Sequence, residues 1–241
     1  MLMWRLWQSI RGPPGYIMIT VHHLNNSRSQ RILWLLEELK LPYEIKRYER
    51  DPVTIRAPKS LKEIHPLGKS PVISDGDIIV AESGAIIDYL IRTYASAPLK
   101  LVEDTPAYRD YVYWLHFSEG SLMPPFLMKL VFDKVRTSPM PFFIKPIAKG
   151  IANKVMTNFV GPEIKQIISY IDQHLSEHDW FTSDHLTGAD IQMSFPLEAA
   201  VSSGAIGNEY PSIVAYVERF QARPAYLKAL EKGGDYDYGP K

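Results

Sequence analysis

A serine just before a helix-like run offers the first chemistry in this sequence. Ser27 follows an apolar, β-branched run at 19–24 and precedes a run with helical spacing that begins at Ser29. The first amides of a helix have no partner within the helix, and the helix dipole is positive at that end. A thiolate held there would be stabilised by these amides and by a hydrogen bond from the serine hydroxyl. The serine would donate this bond rather than attack, because no histidine-acid pair that could activate it is evident.

The same serine also has a purely structural interpretation. Ser27 and Gln30 have the spacing of a capping box, in which the serine only closes the first turn of the helix. A free thiol has a pKa of about 8.5, and lowering it by about two units takes roughly 2.7 kcal/mol. One charge-assisted hydrogen bond together with a helix terminus can supply that much. Capping and thiolate stabilisation need the same geometry, so the local sequence does not separate them.

Two short segments further along could hold the rest of a thiol ligand. At Ser70-Pro71, a cis bond before a strand would turn the Ser70 backbone outward as a free edge, and an ordinary trans proline is the alternative. Ser83 opens a second helix-like run, so its hydroxyl and the helix amides could bind a carboxylate, with a simple N-cap as the alternative. Glu82 beside it would suit an ammonium group, and the pair therefore matches an α-amino acid terminus. Lys69 could meet a second carboxylate or remain solvated.

The composition excludes several other chemistries. The 241 residues include no cysteine, which excludes disulfides, a thiolate nucleophile and thiolate-metal sites. The seven histidines form no H-x-x-x-H or H-E-x-x-H pattern, so no metal site is expected. Basic and acidic residues balance at 27 each, which argues against a nucleic-acid partner. No apolar run reaches ~18 residues, so no membrane-spanning helix is predicted.

The order of elements predicts an α/β domain over residues 18–95. Strand-like runs lie at 19–24, 43–48, 71–74 and 77–80, the last two joined by the hairpin signal Asp75-Gly76. Helical patterns lie at 29–40 and 83–94, and a short helix is expected from Ser60, where a capping-box pattern reaches Glu63. The resulting order, β-α-β-α-β-β-α, is thioredoxin-like.

Beyond residue 103 the apolar spacing is helical almost throughout, which predicts an all-α domain over 103–232. A long aromatic helix at 105–123 is expected to kink at Pro124-Pro125 and to continue to about residue 136. Thr187 to Asp190 has a capping-box pattern, with Leu186 as its staple residue. Three further segments complete this organisation: a flexible extension at 1–17 with a weak amphipathic membrane anchor as the alternative, an insertion at 137–157, and a loose polar tail at 233–241.

Taken together, these segments resemble the cytosolic glutathione S-transferases, most closely their fungal and bacterial members, over residues 18 to about 232. His65-Pro66-Leu67-Gly68-Lys69-Ser70-Pro71-Val72, followed by Ala81-Glu82-Ser83, is similar to the family signature N-P-x-G-x-V-P…E-S. Thr187-Gly188-Ala189-Asp190 is similar to the S/T-x-x-D box of the second domain. The resemblance implies a thioredoxin-like glutathione domain, an all-helical domain and a homodimer.

The resemblance also implies roles for single residues. Ser27 aligns with the catalytic serine of the serine-type classes. Ser70, before the expected cis-Pro71, aligns with the residue whose backbone pairs with the cysteinyl part of glutathione. Glu82 and Ser83 align with the γ-glutamyl site, and Lys69 could meet the glycyl carboxylate.

Two departures from the family pattern bear on the site. Ser70 stands where valine or isoleucine is usual. The first loop, 25–30, lacks the S-x-P-C-R form, so that Asn25 or Asn26 could share or replace the role of Ser27.

The reaction expected from the resemblance is attack of the glutathione thiolate on a small hydrophobic electrophile, in detoxification or secondary metabolism. Glutathione would be a co-substrate, with no bound cofactor and no metal, and the protein would be cytoplasmic. The electrophile is expected beside the 105–126 helix, where Tyr111, Trp114, Phe117 and Phe126 are candidates. A core or dimer-interface role is the alternative for these aromatic residues.

Two other functions remain open from the sequence. A glutathione-dependent peroxidase could use the same site, since the missing cysteine disfavours only the mixed-disulfide reductase. A non-catalytic, transferase-like interaction module is the third hypothesis. The Glu82-Ser83 pair and Ser27 argue against it, because a scaffold needs neither.

Overall fold

The computed structural model describes residues 18–54, 56–182 and 184–240. The extension at 1–17, expected to be flexible, lies outside the described residues. Within the described ranges, no helix combines the length and apolar character needed to cross a membrane.

A four-stranded mixed sheet forms the first half of the protein. Its strands are β1 (Ile19–Leu24), β2 (Tyr43–Tyr48), β3 (Val72–Asp75) and β4 (Ile78–Ala81), in the spatial order β2-β1-β3-β4. The β1–β2 pair is parallel, whereas β1–β3 and β3–β4 are antiparallel. Helix α1 (Ser29–Glu38) connects the parallel pair, and α2 (Ser83–Tyr94) follows β4. The predicted thioredoxin-like order is confirmed.

Neither of the two capping boxes predicted in this half forms. Ser27 Oγ accepts a hydrogen bond from the Ser29 amide at 3.2 Å, and the buried side-chain amide of Gln30 has no partner among the described residues. Arg28 already has helical dihedral angles, which shifts the helix start away from the register that the box requires. The helix expected from Ser60 is a short 3₁₀ segment, Lys59–Glu63, that follows Pro58 without a side-chain cap.

The second half is all-helical, as predicted. Its helices are α3 (Pro106–Phe117), α4 (Met123–Thr137), α5 (Lys145–Val155), α6 (Gly161–Glu177), α7 (Gly188–Ser202), α8 (Pro211–Gln221) and α9 (Pro224–Gly233). The segment expected to be an insertion is largely helical, because α5 runs through it. One apolar core is continuous through both halves of the molecule.

The expected kink at Pro124-Pro125 takes a different form. A π-helical turn, Ser118–Leu122, joins α3 to α4, and the two prolines lie in the first turn of α4. A second π turn, Met156–Val160, precedes Pro162 in the same way. A proline ring clashes with the carbonyl four residues earlier, and a wider turn moves that carbonyl away. The chain therefore continues as a helix through both points.

Helix α7 lies at the centre of the helical half and is buried along most of its length. The predicted capping box at its start is confirmed. Asp190 Oδ2 accepts from the Thr187 amide at 2.7 Å, and Oδ1 accepts from the Phe181 amide at 2.9 Å. Burial raises the pKa of Asp190 to about 6, although these hydrogen bonds act in the opposite direction. Leu186, the expected staple residue, is buried in the core.

Helix α1 is enclosed between the sheet and the helical half. It packs against α7 and α9, so its polar residues are buried together with its apolar ones. Glu37 of this helix is covered by α9. It accepts hydrogen bonds from Tyr43 Oη at 2.7 Å and Lys232 Nζ at 2.5 Å, and it lies 2.7 Å from Lys228 Nζ. These cations and the tyrosine hold the pKa of Glu37 below its ordinary value, although burial opposes them.

Candidate active site

Strand pairing brings the three predicted segments to one end of the sheet. Ser27 lies three residues beyond Leu24, the last residue of β1. His22 of β1 pairs with Val72 of β3, so the antiparallel register places Ser70 beside the end of β1. Val72 also pairs with Ala81, which places Glu82 next to the start of β3. Segments up to 56 residues apart in the sequence thus form one rim.

The Ser70–Pro71 peptide bond is cis, as predicted. The hydroxyl of Ser70 donates to the carbonyl of His22 at 2.9 Å, which ties this loop to β1. Neither the amide nor the carbonyl of Ser70 bonds to any described residue, so both are available to an extended ligand. The serine found in place of valine or isoleucine therefore secures the loop through its side chain and leaves its backbone free.

Glu82 and Ser83 lie at the start of α2. Glu82 is exposed and has φ 71°, ψ 128°, a backbone region that costs free energy for a residue other than glycine. Ser83 is buried at the first position of the helix. Both residues line a cavity of about 740 Å³ between α2 and the helical half. Lys69 is exposed and forms no ion pair within the described residues.

The hydroxyl of Ser27 points into the protein. Ser27 is only 4% exposed, and its Oγ donates to the Leu24 carbonyl at 2.7 Å. Ser29 Oγ lies 2.7 Å from Ser27 Oγ and 2.9 Å from Nδ1 of His23. A histidine thus lies two hydrogen bonds from Ser27, which the sequence alone did not reveal.

The His23 ring is neutral at physiological pH. Burial and the nearby Arg47 guanidinium lower its pKa to about 4, although a hydrogen bond to the Gly233 backbone opposes them. A neutral Nδ1 can accept a hydrogen bond from the Ser29 hydroxyl. Ser29 Oγ is then an alternative acceptor to the Leu24 carbonyl for the single proton of Ser27. His23 therefore bears on the orientation of Ser27 through Ser29, and the only sequence signal for this was the position of His23 in β1.

Asn25 and Asn26, the alternative contributors, are occupied by structural contacts. Asn25 Oδ1 accepts from the Arg50 amide at 3.0 Å. Asn26 donates to Asp237 Oδ2 at 2.8 Å and accepts from the Asp237 amide at 2.9 Å. Asp237 belongs to the C-terminal segment expected to be a loose tail, and in the described part this segment is fixed on the Asn26 loop.

Two arginines, one in the first loop (25–30) and one in α1, bind a residue of the helical half. Sequence reasoning missed both as site residues. Arg28 Nε and the buried Arg31 Nη2 both bind Glu119 Oε1, at 3.1 Å and 2.6 Å. Burial acts to raise the pKa of Glu119, but the two arginines outweigh it and hold the pKa below its ordinary value. Glu119 lies in the first π turn and lines the 740 Å³ cavity. Pro124-Pro125, which follow this turn, were the only sequence feature that could have indicated the position of Glu119.

The aromatic candidates for the electrophile site separate into two groups. Tyr111 lines the 740 Å³ cavity, and its buried hydroxyl has no partner among the described residues. Trp114 is 2% exposed and stacks on Tyr170 within the core, so its expected place in the cleft is wrong. Phe117 and Phe126 are partly buried against the same core. The second free polar atom in the cavity wall is Oε1 of Gln192, which sequence reasoning also missed.

No group of three or more histidine or acidic side chains is arranged to hold a metal ion among the residues described. The rim itself presents hydroxyls, free backbone groups, a helix N-terminus and one exposed carboxylate.

The comparisons with known proteins agree with this geometry. Models of the N-terminal and C-terminal domains of glutathione S-transferases match residues 18–92 and 138–224. Glutathione S-transferase 3 of Schizosaccharomyces pombe is 39% identical over 218 residues, which cover 90% of this chain and 89% of that protein. Glutathione S-transferase 1 of Saccharomyces cerevisiae is 36% identical over 223 residues, which cover 89% and 95%.

Solved structures give the same result. A glutathione S-transferase from Actinobacillus pleuropneumoniae is 36% identical with a TM-score of 0.76, over 92% of this chain and 95% of that one. A Phanerochaete chrysosporium glutathione transferase, solved with oxidized glutathione, has the same fold at 19% identity and a TM-score of 0.70, over 92% and 97%. The expected enzyme class, a glutathione transferase, is confirmed, and the peroxidase and non-catalytic alternatives are not favoured. The chain belongs to the glutathione S-transferase family.

Proposed function

We propose that this transferase holds glutathione as its thiolate along the rim formed by Ser27, Ser70 and Glu82-Ser83, and conjugates it to small hydrophobic electrophiles. The observation that carries this proposal is the convergence of the three segments at one end of the sheet. A tripeptide with a thiol in its middle residue needs recognition at both ends and at its centre. The rim offers an α-amino acid site, a free backbone edge and a hydroxyl in that arrangement.

The γ-glutamyl end lies at the start of α2. The Ser83 hydroxyl and the free amides of the helix bind its carboxylate, and Glu82 binds its ammonium group. The strained backbone of Glu82 supports this assignment, because such strain is concentrated at ligand sites. The free amide and carbonyl of Ser70 pair with the cysteinyl residue, and Lys69 meets the glycyl carboxylate.

Ser27 activates the thiol by donating a hydrogen bond to its sulfur. To do so, the hydroxyl must turn away from the Leu24 carbonyl. Ser29 Oγ lies 3.2 Å from the same carbonyl, so the single Ser29 proton can turn to it from His23 Nδ1 when Ser27 leaves. The dipole of α1 adds to the stabilisation of the thiolate.

The electrophile lies on the helical side of the rim, with Tyr111 as one wall of its site. Catalysis comes from thiolate stabilisation and from holding the two reactants together. Glutathione is consumed as a co-substrate and no resident cofactor is used. We place the protein in the cytoplasm, in detoxification or secondary metabolism.

We propose a homodimer as the assembly. β4 is at the edge of the sheet, and its Ile78 and Ile79 are both exposed. An apolar edge strand favours contact with another chain. A second copy of this chain would cover it.

Retention on glutathione resin followed by turnover tests the proposed function. We expect the chain to bind the resin, to elute with free glutathione, and to conjugate 1-chloro-2,4-dinitrobenzene at a rate that rises with pH as the bound thiol ionises. Absence of binding at millimolar glutathione would rule out both a transferase and a peroxidase. Binding together with peroxide reduction, but without aryl halide turnover, would favour the peroxidase.

Replacing Ser83 with alanine is expected to weaken glutathione binding about tenfold, because the ligand carboxylate loses one charge-assisted hydrogen bond. The value of kcat should change little, since Ser83 binds a part of glutathione remote from the sulfur. Isothermal titration with glutathione measures the affinity. Ser60→Ala, at an exposed serine of the 3₁₀ segment, is the matched control and should leave the affinity unchanged. Equal affinities for the wild type and Ser83→Ala would mean that the γ-glutamyl end of glutathione binds elsewhere.

A further inference from the structure

The hairpin of α4 and α5 carries an exposed apolar surface that the catalytic site does not use. Of the 18 large apolar side chains that are exposed among the described residues, ten lie in the segment 127–159. At the turn of the hairpin, Phe142 is 86% exposed and Phe143 is exposed beside it. Contiguous exposure on this scale is unusual for a surface that faces only water.

The amphipathic pattern of α5 is inverted. Ala152 is buried and Ala148 is half-buried on the inner side of the helix, where α5 packs against α4. Ile147 and Ile151, which are larger and more apolar, are 63% and 56% exposed. Burial normally takes the larger apolar side chains first. The outer face of α5 is therefore suited to a surface other than water.

The charge of the hairpin identifies that surface. The chain as a whole is neutral, but 127–159 holds six lysine or arginine residues against one acid, Asp133. Asp133 is bound by Lys129 at 2.6 Å and by Arg136 at 2.7 Å. The other four cations, which form no ion pair with a described residue, are Lys134, Lys145, Lys149 and Lys154. In helical spacing, Lys134 and Lys154 continue the exposed apolar faces of α4 and α5.

We propose that this hairpin docks on an anionic lipid bilayer. Phe142, Phe143 and the outer isoleucines enter the headgroup region, and the lysine ammonium groups reach the lipid phosphates by extending along the surface. The protein would lie on the membrane without crossing it. The electrophiles expected for this enzyme are hydrophobic and concentrate in lipid, so docking would hold the enzyme beside them.

Charge complementarity favours lipid over a contact between two hairpins. A two-fold interface in which the hairpins of two copies pack against each other would bring two surfaces of net positive charge together, which costs free energy. A nucleic acid would match the charge, but it gives exposed isoleucine and phenylalanine side chains no apolar region to enter. An anionic bilayer satisfies both the apolar and the cationic groups.

Flotation of the full-length protein with vesicles tests the proposal. We expect it to float with vesicles of phosphatidylcholine containing 30% phosphatidylserine, not with pure phosphatidylcholine, and to dissociate as salt is raised. The double variant Phe142→Ser/Phe143→Ser should lower the partition coefficient at least tenfold. Lys134→Glu/Lys154→Glu should also lower the partition coefficient at least tenfold, because each lysine removed should lower it about fivefold.

Matched controls lie on exposed sites far from the hairpin. Val53→Ser and Lys59→Glu should float like the wild type, and all variants should keep wild-type thermal unfolding and aryl halide turnover. Equal binding to neutral and anionic vesicles would overturn the proposal. So would unchanged flotation of both hairpin variants, since binding would then arise elsewhere, for example from residues 1–17. If the wild type does not bind vesicles and the hairpin variants change the oligomeric state, the surface is an interface with a second copy of the chain, and the proposal is overturned.

Discussion

Ser27→Ala is expected to raise the pKa of the thiol of bound glutathione by about one to two units, while glutathione affinity stays within about threefold. The variant loses one hydrogen bond to the thiolate and keeps the helix amides, and one pKa unit corresponds to about 1.4 kcal/mol. Removal of one preorganised donor from a developing or full anion typically lowers turnover by about 10²-fold. Titration of the thiolate absorbance of the complex measures the pKa, and kcat/KM for the aryl halide measures turnover.

The sign of the pH dependence follows from the thiol. On the proposed mechanism, the wild type lowers the pKa of the bound thiol enough to keep it ionised at neutral pH. In Ser27→Ala the activity should be lost first at low pH and should return as pH rises through the higher pKa. The two enzymes should therefore differ most at acidic pH.

Two further serines make this experiment specific. Ser194→Ala removes another buried hydroxyl, which donates to the Ile191 carbonyl within α7, and should leave the thiol pKa unchanged. Ser29→Ala breaks the link between His23 and Ser27, and should raise the thiol pKa by less than Ser27→Ala does. An unchanged thiolate titration in Ser27→Ala would mean that the amides of α1 or the loop asparagines carry the activation, and Asn25 would be the first to test because the Asn26 amide is bound to Asp237.

Asp190→Ala is expected to lower the free energy of unfolding by about 3–5 kcal/mol. The carboxylate is fully buried and accepts from the amides of Thr187 and Phe181, and also from the hydroxyls of Thr187 and Tyr216. Each buried donor left without a partner costs about 1–3 kcal/mol. The start of α7, the central helix of the core, would lose its cap. Urea unfolding measures the change, with an unaltered m-value as the sign that the folded and unfolded states remain comparable.

Asp172 provides the matched control. Its Oδ1 accepts from the amides of Ser212 and Ile213 at the start of α8, at 2.9 and 3.0 Å, and the site is only partly buried. Asp172→Ala should therefore cost about 1 kcal/mol, the usual value of an exposed cap. If the two substitutions cost the same, burial of the Asp190 donors would not be what makes that cap important.

Local patterns in the sequence predicted the order of elements and most of their ends. Apolar spacing and proline positions are local properties, and they predicted the β1-α1-β2 unit, the hairpin of β3 and β4, and the helical second half. The cap at Thr187 to Asp190 was predicted correctly because every group in its box lies within four residues. The Glu82-Ser83 pair was placed correctly for the same reason, since a strand end and a helix start are both local signals.

Which polar groups meet depends on the tertiary fold. The side chain of Asn26, a candidate contributor at the thiol, is bound by Asp237, more than 200 residues later in the sequence. Glu37 is buried because α9 crosses its face. Ser27 gained a histidine neighbour because β1 and α1 pack so that Ser29 lies between them.

The physical reason is the same in each case. Local spacing fixes dihedral angles and the face on which a side chain lies, but not which distant element covers that face. The spacing around Trp114 was equally compatible with a cleft wall and a core position, and packing against α6 placed it in the core. The isoleucines of α5 show the converse, because no described element covers them. For Ser27, the sequence supplied the hydroxyl and the helix start, and the fold added the hydrogen bonds that set its direction.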